Sequence, residues 1–589
     1  MPWQTVAHNF AHKIPNFFLP IKHLDSIMSL QARAAPSAAR SGSDIRPELR
    51  DLFASFVVVA IMSALSWWLA GAPGTNGIDD AAITRSYADN IARGFGFVYN
   101  EGGEHVEGAT SFLWVMILVI PYLFDDNPEL AILSISAALT VCAIWLSLGL
   151  LRRMAGARGS QAVAVACIAY VGLPGFFIWS VWSMMEIALW SALIMLLLDR
   201  LSLLVERPDP AEQMGWPLFA AAIALPLTRP EGVAVAVGLI GLALLLRPRT
   251  WRVSGLALCA ALASCAALTI ARLAYFGVPF PNTYYAKVSA DRMQNVVDGA
   301  KYLSSFILGM PFAEVILLSW ILFAGSTLTS VLRGPAAGQR SGLLVCATVF
   351  GLLLVYVALG GDHFTLWRFY QPLMPVLLFP LILGGLRLGS VASEVPRSTL
   401  LAAAVTSLLV WIALSNLYYR QARFDVAKEY QLSARGEAFG EMMNGFSPTP
   451  SIGVVAAGGV ALTFDGELRD LMGLNWVEMA HANPIKIGVR NHASFDVDTF
   501  WKYPPDVVAQ FNKRKCQSEQ WSATARFPST GVSQLFSQQR FRELYAPVTF
   551  ERADGACANA FAARDWLARA QGGRVSVLEW DALSPEADD

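Results

Sequence analysis

Charge is what this chain has least of. Asp, Glu, Lys and Arg make up only 15% of its 589 residues, against roughly 25% in an average soluble domain. The few charges also cancel, 44 Lys+Arg against 45 Asp+Glu for a net −1. So balanced a chain has no field to hold DNA or RNA, and nucleic acid is excluded as a partner. No Gly-x4-Gly-Lys-Ser/Thr loop is present, which argues against an ATP-driven pump, and neither HExxH nor CxxC offers a metal centre of fixed spacing. Cysteine is scarce too. Five of the seven (142, 167, 259, 265 and 346) lie in apolar runs and read as ordinary core residues. Residues 1–50 hold six Lys/Arg with no apolar run behind them before residue 51, so no cleavable signal peptide is expected. The Ala/Ser-rich stretch 34–43 reads as a linker into the first span. No internal repeat stands out.

Apolar residues fill the space that charge leaves. They reach 55%, with a mean hydropathy of +0.45. That excludes an ordinary cytosolic enzyme and a disordered chain, and the 18 Trp and 33 Phe suit aromatic belts at lipid interfaces. Runs long enough to cross ~30 Å of hydrocarbon fall at 51–72, 128–151, 161–181, 186–206, 216–229, 231–247, 253–276, 311–332, 341–359, 372–388 and 398–419. The pair at 216–229 and 231–247 is short. A further run at 110–124 is shorter still and reads as re-entrant or interfacial.

Charge asymmetry orients these eleven spans. With the N-terminus inside, the inner loops carry 12 Lys/Arg in 51 residues and the outer loops 7 in 90, as the positive-inside rule requires. Residues 1–50 are then cytoplasmic, 51–419 form the membrane domain with its first periplasmic loop at 73–127, and 420–589 lie outside. The tail turns soluble in composition. Strand-like runs at 451–456, 505–509 and 574–578 alternate with helical stretches, which predicts a small α/β domain. An oxidising compartment permits a disulfide there between Cys516 and Cys557.

The first outer loop opens with Asp79-Asp80 and continues as an amphipathic helix, its stripe Ile83, Tyr87 and Ile91 predicted to lie along the outer membrane surface. Two adjacent carboxylates between lipid and water can supply a general base, one tuning the other. The plainer reading is that Asp79 caps its own helix and Asp80 favours the dipole. Tyr99, Asn100, His105, Glu107, Gly108, Thr110, Ser111 and Trp114 follow, polar groups that suit a saccharide site.

Several segments together carry a resemblance. They are Asp79-Asp80-Ala-x-Ile, Tyr87-Ala-x-Asn90, Gly94-x-Gly96-x-Val98-Tyr-Asn100 and Val106-Glu107-Gly108-x-Thr110-Ser-x-Leu-Trp114. Further on stand Thr228-Arg229-Pro-Glu231-Gly232, Pro281-Asn282-Thr283-x-Tyr285-Ala-Lys287 and Gly360-Gly361-Asp362-x-Phe364 with Arg368-Phe369. Asp470-Leu-Met-Gly473-Leu474-Asn475 and Pro505-Asp506-Val507-Val508 complete the series. In register from about 75 to 510, the chain resembles polyprenyl-phosphate-sugar-dependent GT-C glycosyltransferases. Within them it is most similar to the terminal arabinofuranosyltransferases of mycobacterial cell-wall assembly. It also resembles bacterial enzymes that decorate pilin or surface glycans. One departure is Trp182-Ser183-Met-Met-Glu186, where relatives tend to have Ser-Gly before the acid. The last 80 residues match nothing in that family.

The resemblance implies an α-helical polytopic GT-C membrane protein of about eleven spans, with periplasmic juxtamembrane helices and a C-terminal periplasmic α/β domain. It would sit in a bacterial inner membrane, among membrane lipids. It would move a sugar, D-arabinofuranose foremost and a hexose such as mannose as the alternative, from an undecaprenyl or decaprenyl phosphate donor to a glycan or pilin-type glycoprotein acceptor. Asp79 or Asp80 would be the base. Lys287, Arg368 and Arg229 would meet the donor phosphate, although Arg229 has Glu231 and Glu186 as rival partners. Glu186, Asp362, His363, Tyr87, Glu107, Asn282 and Tyr285 would bind sugar or acceptor. A phosphate leaving group requires no strong acid, so no cofactor is expected to be essential. A divalent cation is allowed, because Asp79, Asp80, Glu186, Asp362 and His363 are usable ligands. Trp179, Trp182, Phe276, Phe280 and Tyr284 are candidates for the prenyl groove. In the tail, Phe464, Trp476, His481, His492, Trp501 and Tyr503 are candidates for stacking on a sugar. The rival classes are a transporter or flippase of lipid-linked sugars, which should place charge in mid-span, and a non-catalytic scaffold.

Overall fold

The computed structural model describes residues 46–206, 215–334, 338–391, 396–483, 485–486, 494–509, 532–552 and 555–580. Residues 1–50 and 51–589 are separate units, and the sheet and the site both belong to the second. Cys516 and His492 lie outside the described residues, and with Cys516 the disulfide expected to Cys557.

Eight helices among the described residues are long and apolar enough to cross a membrane, and the chain is a multi-pass membrane protein. They are Pro47–Leu69, Glu129–Gly172, Ile187–Glu206, Pro248–Tyr275, Ala313–Arg333, Gln339–Ala358, Arg368–Leu388 and Ser398–Gln421. The sequence led to eleven, and all eleven segments contain helix. The difference has local causes. The stretch Glu129–Gly172 takes in the expected span 128–151 and only the first half of 161–181. Its backbone turns at Gly156 (φ 57°), and after Ala169 the second half breaks into a 3₁₀ turn and a π turn, Ile178–Trp182. Trp216–Thr228 and Gly232–Leu246 have 13 and 15 residues, rising about 20 Å each where a span needs ~30 Å. The run at 110–124 is a helix of 11 residues, Phe112–Tyr122, short as expected.

Four helices position the site. Asp79–Ala92 (α1) carries the paired carboxylates. Trp216–Thr228 (α2) and Gly232–Leu246 (α3) are joined by the tight turn Arg229-Pro230-Glu231. Arg423–Met443 (α4) leads from the last span to the sheet. α1 does not lie with one stripe on lipid as its pattern suggested. Ile83 and Tyr87 are buried, but so are Asp79, Thr84, Arg85, Ser86 and Asn90, because the polar side is covered too: Arg85 bonds Tyr122 and Glu129, Asn90 the Val98 and Tyr99 carbonyls, and Asp79 the C-terminal region.

That region is one six-stranded sheet in the order β2-β1-β3-β5-β4-β6: β1 Ile452–Val454, β2 Leu468–Asp470, β3 Val507–Ala509, β4 Tyr545–Glu551, β5 Cys557–Ala563 and β6 Arg574–Val577. β1 pairs in parallel with β2 and β3, and the remaining pairs are antiparallel. Val454, Ala457 and Val460 from this region share a core with Ile83, Tyr87, Phe97 and Tyr99 of the first loop. A second core, with Leu471, Phe500, Phe541 and Phe561, belongs to the sheet region alone. The shared core fixes the sheet against the loop that bears Asp79 and Asp80.

Candidate active site

Asp79 and Asp80 occupy the first turn of α1, where negative charge is favoured. Ile78 is the N-cap residue and offers no side-chain acceptor, so Asp79 does not cap its own helix. Successive helical residues point about 100° apart, and the two carboxylates part company. Asp79, 7% exposed, turns to the sheet region. It accepts from Gly459 N–H at 2.9 Å and from Gly458 N–H at 3.1 Å. A Cβ on Gly458 would lie 1.8 Å from the Asp79 carbonyl oxygen, so glycine is required for this approach. Burial pushes Asp79 up to about 6, the two N–H bonds working against the rise.

Asp80 turns the other way, into a cleft of about 160 Å³. Its Oδ2 lies 3.3 Å from Arg368 Nη1 and 3.9 Å from Lys287 Nζ. Burial acts to raise its pKa, but Lys287, Arg368 and His363 prevail and hold it well below the usual carboxylate range. Arg368 is itself pinned. Its Nε donates to Asp362 Oδ2 at 2.7 Å, and its guanidinium lies 4.0 Å over Phe364. The preceding Leu366 and Trp367 sit at φ 59° and 50°, left-handed backbone that few side chains adopt. Pro372 and Pro375 then keep 368–376 as 3₁₀ turns. Asp362 accepts from the His363 backbone N–H at 2.9 Å. Burial would raise this carboxyl as well, but Arg368, His363 and Lys287 lower it.

A second charged group forms the opposite wall. Arg229, in the turn between α2 and α3, bonds Glu186 through Nη1 and donates from Nε to Glu231 at 2.5 Å. Its guanidinium lies 4.8 Å from the Phe369 ring, whose centre is also 5.2 Å from Arg368. Glu186 follows the π turn and Met184, which takes φ 60°. Glycine would hold such backbone without strain, whereas this chain places methionine there. Here Trp114 Nε1 secures the turn, donating to the Met184 carbonyl at 3.0 Å.

Asp80, Lys287, Arg368, Glu186 and Arg229 therefore meet in one cleft, together with Glu231, Thr110, Thr283 and Tyr284. Six other candidates stand behind its walls. Glu107 forms a buried two-point pair with Arg272 at 2.6 and 2.8 Å. Tyr87 donates to Asn475 Oδ1 at 3.0 Å and accepts from Gly108 N–H at 3.1 Å. Asn282 Nδ2 holds the Gly473 and Leu474 carbonyls at 2.8 and 3.0 Å. Tyr285 stacks on His481, ring centres 4.2 Å apart. Asp362 and His363 back Arg368. Of the aromatics expected in a prenyl groove, Tyr284 lines the cleft, Trp179 packs on Phe364 and Trp182 on Trp67. No group of three or more His, Cys, Asp or Glu side chains that could hold a metal ion occurs among the described residues. Asp80, Asp362 and Glu186 each have Arg or Lys as a partner.

Two residues near the site had no role in the sequence reading. Glu429 of α4 feels Asp80, Asp79 and Arg368. Burial first, then Asp80, pushes it up to about 7. Its only signal was position, beside the buried Val426 and Tyr430 on α4. Asp470 was visible within its motif but without a role. It accepts from both the backbone and side-chain nitrogens of Asn475 at 2.9 Å, and burial pushes it up to about 6.

No family model matches the chain. Two curated relatives are similar to it. One is a terminal beta-(1->2)-arabinofuranosyltransferase of Corynebacterium glutamicum, 27% identical over 397 residues, or 61% of this chain and 54% of the relative. The other bears the same name in Mycobacterium tuberculosis, 27% identical over 365 residues, or 56% of each. The chain spans about half the length of the curated relatives it matches. The resemblance carried by the loop motifs is thus borne out. Among solved structures, ArnT from Cupriavidus metallidurans is similar in two forms. Bound to undecaprenyl phosphate, it has TM-score 0.46 and 15% identity, covering 77% of this chain and 92% of that one. In the apo state it has TM-score 0.49 and 13% identity, covering 90% and 99%.

Proposed function

We propose that the chain is a membrane glycosyltransferase that moves a sugar, D-arabinofuranose foremost, from a polyprenyl phosphate to a hydroxyl of a periplasmic glycan or pilin-type glycoprotein. One observation carries the reading: Asp80 faces the cleft in company with Lys287 and Arg368. The charge asymmetry of the loops favours an inner-membrane protein with its N-terminus in the cytoplasm and the cleft outside. The names of the curated relatives support the pentose.

The chemistry follows from the shared cations. Alone, Asp80 is a poor base, because Lys287 and Arg368 favour its charged form. A donor phosphate entering the cleft takes over those cations. It also brings negative charge of its own, and both effects raise Asp80 towards a useful basicity. The acceptor oxygen then attacks the anomeric carbon and its proton passes to Asp80. The bond from that carbon to the phosphate oxygen breaks, and polyprenyl phosphate departs with the electron pair, stabilised by Lys287 and Arg368. The Glu186–Arg229–Glu231 group, with donors and acceptors already oriented, suits sugar hydroxyls. Each step balances without a cofactor, and a divalent cation beside the phosphate is compatible with it.

The test is a membrane assay offering polyprenyl-phosphate arabinose and, separately, polyprenyl-phosphate mannose. Asp80→Asn should lower kcat by on the order of 10²–10⁴, the usual worth of a general base. Undiminished transfer by Asp80→Asn removes the base. Transfer from the mannose donor alone replaces the pentose with a hexose. Movement of the intact lipid-linked sugar across vesicles without transfer replaces the enzyme with a flippase.

A further inference from the structure

A second cleft, of about 610 Å³, lies beside the first and falls in the size range of small-ligand sites, roughly 300–1,000 Å³. A thin partition divides them. Val106 faces the second cleft and Gly108 the first. Asn475 faces the second and Leu474 the first. We propose that this second cleft binds a neutral saccharide, the part of the acceptor glycan remote from the reacting hydroxyl. The proposal rests on the glycosyltransferase reading above.

The cleft is built, not left over. The loop 99–105 is closed by a bridge between Val98 and His105. β2 is an edge strand, and Asn100 seals that edge: its Nδ2 donates to the Leu468 carbonyl at 2.8 Å and its Oδ1 accepts from Leu468 N–H at 2.9 Å. Trp476 and Tyr503 form an aromatic corner, ring centres 6.2 Å apart at 69°. The Arg469 guanidinium lies 5.3 Å from the Tyr503 ring and 5.8 Å from that of Trp476.

The charges choose the ligand. Carboxylates outnumber cations on the lining, which disfavours a phosphate and so the donor. Yet most of these carboxylates are already engaged. Glu467 pairs with Arg469 at 2.8 Å, Glu478 with Lys502 at 2.7 Å, and Glu101 with Arg93 at 3.8 Å. Glu104 accepts from Val477 N–H at 2.9 Å. A basic peptide seeks free carboxylates. A sugar needs oriented acceptors beside oriented donors, because each hydroxyl gives one hydrogen bond and receives others, together with aromatic faces for its C–H surface. The paired acids and the Trp476–Tyr503 corner offer that combination.

The test uses the full-length protein in detergent, without donor. A linear arabinofuranosyl oligosaccharide and a lysine hexapeptide are titrated separately by calorimetry. The saccharide should bind, and Tyr503→Ala should weaken it on the order of tenfold, the scale of one lost aromatic contact. Tyr503→Phe should retain most of the affinity. Tyr503 is 46% exposed, so its variants keep the fold, which the thermal midpoint verifies. Glu478→Gln gives an independent variant with the same expected direction. Absence of saccharide binding to the wild type, unchanged affinity in both Tyr503→Ala and Glu478→Gln, or tighter binding of the peptide would each overturn the proposal. Asp80→Asn should bind the saccharide as the wild type does. Loss of the transferase reading therefore shows in turnover, and loss of this one in binding.

Discussion

The two clefts share a partition and treat charge in opposite ways. In the first, a few ionised groups are mostly removed from water and shared: Asp80 and Lys287 are partly buried and Arg368 and Asp362 fully so, Asp80 divides its attraction between Lys287 and Arg368, and Arg368 serves both Asp80 and Asp362. In the second, the ion pairs are separate and reach the surface, with Lys502 and Glu101 both more than half exposed. Shared buried charge responds strongly to one added anion, because little water screens it. Separate exposed pairs respond weakly and serve as fixed hydrogen-bonding groups. One arrangement suits a reaction and the other a grip.

Substitutions can break this contrast or sharpen it. Among the variants that separate the two clefts, Arg368→Gln has the largest expected effect. It removes a charge-assisted contact of about 1.5–3 kcal/mol, so donor KM should rise roughly 10- to 100-fold while saccharide binding in the second cleft holds. Initial rates at varied donor, beside donor-free calorimetry, check both halves. Gly108→Ala attacks the partition. The new Cβ would lie 1.8 Å from Asn475 Oδ1 and 2.6 Å from the Tyr87 hydroxyl, and such overpacking costs about 1–3 kcal/mol. Here the two clefts should fail together, with a lowered thermal midpoint, weaker saccharide binding and slower transfer.

Glu429→Gln should act more gently and through pH. Glu429 is pushed up to about 7 by burial and by Asp80, so raising pH through 7 adds a negative charge beside the proposed donor site. Donor KM should climb a few-fold across that range in the wild type, consistent with ~1 kcal/mol for a partly screened charge, and stay flat in the variant. Asp79→Asn should change kcat per folded molecule least of all, since Asp79 faces the sheet. Its mark falls on stability. The folded protein holds the Asp79 proton more tightly than the unfolded chain, so acidification from pH 7 through about 6 stabilises the wild type at this group. Thermal midpoints against pH should lose that component in Asp79→Asn.

Much of this was legible in the sequence. Length and hydropathy located the helical segments, because a bilayer imposes them directly. The strand-like runs at 451–456, 505–509 and 574–578 became β1, β3 and β6. β5 was missed because Cys-Ala-Asn-Ala-Phe-Ala-Ala reads as helix by propensity, which pairing with β3 and β4 overrides. β4 was hidden by Pro547, tolerated because it stands at the end of the pairing with β6, where its carbonyl still accepts from Leu578 N–H at 2.8 Å and no N–H is called for. In the site, five of the named residues do converge. What sequence could not give was direction. Asp79 and Asp80 are indistinguishable until the sheet claims one of them. Glu107 resembled a sugar ligand until Arg272, from a distant helix, took both its oxygens.

The adjacency of those two aspartates has a mechanical consequence. One is fastened to the sheet region through Gly458 and Gly459, and the other, the proposed base, faces the cleft. They are separated by a single step of helix, a rise of about 1.5 Å, too short to flex. The sheet region and the proposed base are therefore coupled through one turn of helix, with Asp79 the anchored end and Asp80 the free one. A load that tilts the sheet region would be passed through that single helical step to the cleft.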